Sequence, residues 1–140
     1  MSQLGNPSGA YGYTDLQAQI PPTTKEFVAS AAIADNTVVS ISSTGTVATI
    51  ATDGVAIIGV SYEAASAAGK TLQVIRDGPA NVVAGSATTL GTPVIRSATT
   101  AGAVTSSATP VTGTVVGFAL GASSGGRSWI WVQPGTNTSS

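Results

Sequence analysis

The segment Ala56-Ile57-Ile58-Gly59-Val60-Ser61-Tyr62 returns 58 positions later as Thr114-Val115-Val116-Gly117-Phe118-Ala119-Leu120. The flanks recur as well. A polar turn and a short strand precede each copy, Asn36-Thr37-Val38-Val39 in the first half and Gly91-Thr92-Pro93-Val94 in the second. A small-residue loop ending in glycine and a base follows each, Ala68-Gly69-Lys70 and Gly125-Gly126-Arg127. A strand then closes the unit, Thr71 to Ile75 or Ser128 to Val132, with Gly78 and Gly135 at the ends. Arrays and propellers need many repeats of about 20–50 residues. Two copies over 36–78 and 91–135 predict instead one compact domain with a pseudo-twofold arrangement of strands.

The local signals are those of an all-β chain, a small barrel or sandwich built from two similar halves. Short apolar segments recur at Val38–Ile41, Thr46–Ile50, Val55–Val60, Leu72–Arg76, Ala80–Ala84, Pro93–Arg96, Ala103–Thr105, Thr114–Leu120 and Ser128–Val132, separated by turn residues. Phe27–Ile33 fits a strand or a short helix. Val55 to Val60 is continuous rather than alternating, which predicts a strand buried on both faces. Gly59 and Gly117 interrupt matching strands, as glycines do at a bulge or a close backbone approach. Asp77-Gly78-Pro79 predicts a turn. Glu63–Ala68 is the segment with helical propensity, two turns at most before Gly69.

Residues 1–26 differ from the rest. Gly5, Pro7, Gly9 and Gly12 break periodicity, and Pro21-Pro22 blocks helix and stiffens the chain. The expectation is an extended N-terminal arm over 1–26, a β-domain over 27–135 and a flexible tail over 136–140. Tyr11, Tyr13, Leu16 and Ile20 give the arm apolar anchors, so it reads either as a solvated tail or as a segment ordered on a partner.

Composition narrows the function. Charged residues make up 8% of the 140, against about 25% in an average soluble domain, and the net charge is −1. Such a surface repels little and favours association. Lys25, Lys70, Arg76, Arg96 and Arg127 are the only bases and are widely spaced, too sparse for the basic stripe that nucleic acid demands. Without His or Cys, the commonest general base, the commonest metal ligand and the thiol nucleophile are absent. The acids Asp15, Glu26, Asp35, Asp53, Glu63 and Asp77 lie mostly at expected turns with no paired spacing. No catalytic, cofactor-binding or metal-ligating residue is assigned, and the expectation is a protein that is not an enzyme. Ala68-Gly69-Lys70-Thr71 is not a phosphate loop, because Ala64 stands where the first glycine is needed and a strand follows. Met1-Ser2-Gln3-Leu4-Gly5 is unlike a signal peptide and no run of ~18 apolar residues occurs, so synthesis in a cytoplasm and no membrane contact are expected.

Trp129-Ile130-Trp131-Val132 alternates, placing both tryptophans on one face and both aliphatics on the other. Core filling is the default reading of the pair. The rival is an oligomer interface formed by Trp129 and Trp131, where aromatic anchors dominate binding.

Over residues 27–133 the chain resembles the head decoration, or capsid cement, proteins of tailed bacteriophages, a family long catalogued as a domain of unknown function. The resemblance rests on an ordered set. Its members are the turn before Thr37-Val38-Val39, the Ile57-Ile58-Gly59-Val60 strand with Glu63-Ala64-Ala65, and the return from Gly69 to Arg76-Asp77-Gly78. Gly91-Thr92-Pro93-Val94 and Val116-Gly117-Phe118-Ala119-Leu120 complete it. It implies a non-enzymatic β-domain, commonly trimeric, on the outer capsid surface at threefold or quasi-threefold junctions, with the major capsid protein as partner. The arm lies outside the resemblance; Tyr11, Tyr13, Leu16 and Ile20 are its candidate capsid-binding residues. The competing reading is a virion fibre, spike or baseplate domain that binds host-surface glycans.

Overall fold

The computed structural model describes residues 16–110 and 114–134. One helical turn, α1 (Leu16–Gln19), precedes nine strands: β1 (Thr23–Ala29), β2 (Val38–Ile41), β3 (Thr46–Thr49), β4 (Ile57–Ser61), β5 (Thr71–Val83), β6 (Pro93–Arg96), β7 (Val104–Ser106), β8 (Val115–Ala119) and β9 (Arg127–Val132). The fold is all-β, as expected, and of the two architectures it is the barrel. The strand order is β1-β3-β2-β4-β5-β9-β8-β6-β7, and β1 also pairs with β5, which closes the first five strands into a ring.

The duplication is visible in the pairing. β2 pairs with β3 and β4, and β4 with β5; β6 pairs with β7 and β8, and β8 with β9. β1 pairs antiparallel with the first part of β5, and the last part of β5 pairs antiparallel with β9. The parallel β1–β3 contact has its counterpart in the parallel bridge Ala84↔Val104. Loop bonds recur in the same places. Asn36 N–H donates to Ser61 O as Gly91 N–H does to Ala119 O, and Ala29 N–H donates to Lys70 O as Ala84 N–H does to Gly126 O. Each unit therefore has five strands, and β5 serves both, closing the first and opening the second.

The structure corrects four expectations. Asp77-Gly78-Pro79 is not a turn between two strands but the middle of β5. Gly78 takes φ +122, and a Cβ there would lie 2.8 Å from Pro22 Cα, so glycine lets the strand pass closely under the arm without breaking. The arm also ends earlier than residue 26: β1 begins at Thr23, directly after Pro21-Pro22, because Thr24 to Val28 pair with Ile75 to Thr71. Within 16–22 the chain is not wholly extended, since Leu16–Gln19 forms a helical turn that ends before the prolines. The expected helix at Glu63–Ala68 does not form. Ala65 is instead tied to Ile33 by a reciprocal pair of backbone bonds of 2.8 Å. Residues 135–140, with Gly135 and the expected tail, lie outside the described residues.

Both organising strands carry the anticipated irregularity. In β4 the register shifts between the partners of Val39 and Ser40, and in β8 between those of Val94 and Ile95, so Ile58 and Val116 are the extra residues of equivalent bulges. Beside them, a Cβ on Gly59 would collide with the Ile75 carbonyl oxygen and one on Gly117 with that of Trp131. Burial of the first strand on both faces is only partly realised: Val60 is fully buried, but Ile57 and Ile58 are half-buried and Val55 is exposed before the strand begins.

Two apolar clusters form the core. Val39, Val47, Leu72 and Val74, with Ala29, Ile33 and Ala65, fill the first ring. Val82, Val94, Val104, Ile130 and Val132 from the second unit share the other cluster with Val38, Val60 and Ile75 from the first. The second unit is thus seated on the outside of the first. Backbone bonds fasten the seam: Val38 N–H donates to Gly102 O (2.8 Å) and Gly102 N–H to Ile50 O (3.1 Å).

Candidate interaction face

β9 alternates half-buried and buried, with Ser128, Ile130 and Val132 turned inward. Trp129 and Trp131 consequently stand together on the outer face of the second unit. They are half-buried and belong to neither core cluster. Their inward neighbours are already packed against Val38, Val60 and Ile75.

Cross-strand register extends the face. Pro79 lies opposite Trp131, Trp131 opposite Phe118, and Phe118 opposite Pro93. Directly opposed residues in paired strands project to the same side. Pro79, Trp131, Phe118 and Pro93 thus make one apolar row across four strands. Phe118 is 37% exposed, Trp131 and Pro93 are half-buried, and Pro79 is buried. Trp131 Nε1 donates to Asp77 Oδ1 at 2.9 Å, which satisfies the indole and holds the ring in one orientation.

One step along the same strands, Trp129 lies opposite Asn81. Asn81, Arg127 and Trp129, with Ala122, Ser124 and Gly125, line an open hollow of about 260 Å³. Arg127 Nη1 donates to the Asn81 carbonyl at 3.2 Å, which fixes the guanidinium beside the ring. The hollow thus sets an aromatic ring beside an amide and a guanidinium.

The remaining candidates fall elsewhere. Leu16 is half-buried on α1, and Ile20 is 43% exposed just after it. Neighbouring Gln17 donates from Nε2 to the Pro79 carbonyl at 2.9 Å, so α1 lies at the end of the aromatic row. Tyr11 and Tyr13 lie outside the described residues. Of the acids, Glu63 Oε2 accepts the Gln73 N–H at 3.0 Å and Asp77 accepts from Trp131. These two carboxylates hold backbone and indole in place. Phe118 and Pro93 carry no site signal of their own in the sequence. The usable signal is the repeat itself, because Phe118 replaces Val60 and Pro93 replaces Val38.

No family model and no curated protein matches this chain. Among solved structures it is similar to the N base of the head fiber protein gp8.5 of bacteriophage phi29, with a TM-score of 0.54 and 15% sequence identity. The match covers 83% of this chain and 98% of that one. At that identity the likeness is one of fold.

Proposed function

We propose that this chain is a structural, non-enzymatic protein of a bacteriophage head, seated as a decoration or cement trimer on the outer shell. The observation that carries the reading is the likeness of nearly the whole doubled β body to a phage head-fiber base. The low charge and the outward aromatic face are in keeping with a life spent assembled. The mechanism is mechanical. Packaged DNA strains a shell where capsomers part, and an oligomer that bridges several major capsid subunits at a threefold or quasi-threefold junction resists their separation. Linked weak contacts give it an avidity far above that of any one.

In this reading the arm, through Tyr11, Tyr13, Leu16 and Ile20, attaches to the shell as extended peptides attach to open sheet edges. Mixing purified protein with undecorated, expanded heads and imaging the surface lattice tests the proposal. Density on the outer surface at the threefold or quasi-threefold junctions is expected. Bare heads at saturating protein would sink it. Because residues 16–22 touch the body, the arm is tested by removing only residues 1–15: the remainder should fold and lose occupancy, and undiminished occupancy would exclude Tyr11 and Tyr13 as attachment residues.

A second reading has its own support in the hollow beside Trp129. A head fibre that binds host-surface glycans would use that aromatic ring with Asn81 and Arg127. Binding of a soluble wall or surface saccharide, abolished by Trp129→Ala, together with no occupancy of heads, would favour it.

A further inference from the structure

We infer that the Trp131–Phe118–Pro93 part of the row is where a second copy of this chain seats. The inference rests on the oligomeric part of the proposed function and not on its shell-binding part. The first unit contains the equivalent row: Thr24 opposite Ile75, Ile75 opposite Val60, and Val60 opposite Val38. There Ile75, Val60 and Val38 are each 0% exposed, because the second unit covers them. The fold thus uses this row in one way within the chain, as a seat for another unit of the same fold. In the second unit Pro79 is buried at one end of the row, but Trp131 and Pro93 are half-buried and Phe118 is exposed.

Its residues have not become those of a solvated sheet face, which would be polar. Val60 and Ile75 are replaced by Phe118 and Trp131, residue types enriched where partners dock. The charged side chain beside them, Asp77, is engaged by the indole N–H, which leaves the ring oriented before any partner arrives. A net charge of −1 offers little repulsion between copies. Within the chain the row meets a different surface, the inner side of the second unit, and not another row. Contact of that unlike-patch kind between copies generates a closed ring when the rotation permits, as a trimer requires.

The test uses the full chain and light scattering coupled to size exclusion across a dilution series. The natural sequence should run as an oligomer, and Phe118→Lys with Trp131→Lys should run as a monomer, weakened by about 30-fold or more in dissociation constant. Because both side chains face outward, far-UV circular dichroism of the double variant should match that of the natural protein. If the double variant fails to fold, a photo-crosslinking phenylalanine analogue at position 118 in the otherwise natural chain replaces it. A product of twice the chain mass is then expected. A natural chain that is monomeric throughout, an unaltered oligomer in the variant, or crosslinking within one chain alone would each overturn the inference. Oligomers that ignore heads would sink the shell reading and leave this one standing; monomers that decorate heads would do the reverse.

Discussion

Ile75 and Trp131 occupy the same place in the ladders of the two units, one residue off the end-to-end alignment of Thr71–Ile75 with Ser128–Val132. Each sits on a closing strand directly opposite the outward residue of the organising strand, Val60 for one and Phe118 for the other. Ile75 is wholly buried between the units, while Trp131 faces out of the second. One ladder position has been put to two uses, and the difference lies in what covers it.

Truncation should expose that asymmetry. Ile75→Ala removes buried side-chain atoms from the seam and is expected to cost about 2–5 kcal/mol in urea unfolding. Phe118→Ala removes a larger side chain from an open face, and in the dissociated chain should cost about 1 kcal/mol or less. Comparable losses at the two sites, measured at a concentration where the chain is monomeric, would mean that the second row is covered within the monomer.

The bulge glycines give a sharper contrast. Gly59→Ala and Gly117→Ala each drive a methyl group into a backbone carbonyl oxygen, of Ile75 and of Trp131, in the tightest part of the ladder. Backbone cannot yield as a side-chain tip can, so each is expected to cost about 3 kcal/mol or more, or to prevent folding. Gly125→Ala meets nothing within 4 Å and bears only the strain of φ +63. About 1 kcal/mol is expected there. Thermal melts of the three variants side by side should separate them, and a Gly117→Ala variant as stable as Gly125→Ala would contradict the close approach.

The duplication, the all-β character and the bulges at Gly59 and Gly117 were legible because each is written locally, in repeated residues or in a glycine where a side chain belongs. The continuity of β5 was not. Asp77-Gly78-Pro79 has turn chemistry, and only the β1 and β9 partners, with Pro22 lying over Gly78, hold it extended. The start of β1 at Thr23 is hidden for a related reason. Phe27 pairs with Leu72, and Lys25 and Glu26 point to solvent, so no local periodicity marks the strand. The alternation in Trp129–Val132 gave two faces but not which one is inside, since that depends on Val38, Val60 and Ile75 from the other unit. The aromatic row was hidden in the same way. It is assembled from four strands that only the fold brings together.

Ser61 is the polar hinge of the first unit. Its fully buried hydroxyl donates to Ala34 O at 2.7 Å and accepts from Thr37 N–H at 3.0 Å, so one side chain joins β4 to the turn that opens β2. Ser61→Ala leaves that N–H without its acceptor in a site closed to water, and is expected to cost about 1–3 kcal/mol. The second unit has Ala119 at this position, and there the Thr92 N–H, the counterpart of that of Thr37, already donates to Thr89 O at 3.1 Å. Ala119→Ser should therefore not be rescued by the same contacts and should destabilise as well. A stabilising Ser61→Ala in equilibrium unfolding would show that the hydroxyl is not needed.

Asp77 bonds across two strands to the indole of Trp131 at the point where β5 passes from the first unit to the second. The bond is exposed, so its contribution to stability is small, about 0.5–1.5 kcal/mol, but its effect on geometry is not. Without the carboxylate the indole N–H loses its partner and the ring is free to leave the row. Asp77→Ala is expected to shift the Trp131 indole N–H resonance toward the position of a solvated indole, with the backbone resonances of β8 and β6 nearly unchanged. Asp77→Asn retains an acceptor oxygen at the same distance and should restore most of the natural position. If the row seats a second copy, Asp77→Ala should also weaken self-association while Asp77→Asn does so less, because the alanine variant must order the ring on binding. Identical association for both variants, despite a displaced indole resonance in the first, would separate the orientation of Trp131 from the contact between copies.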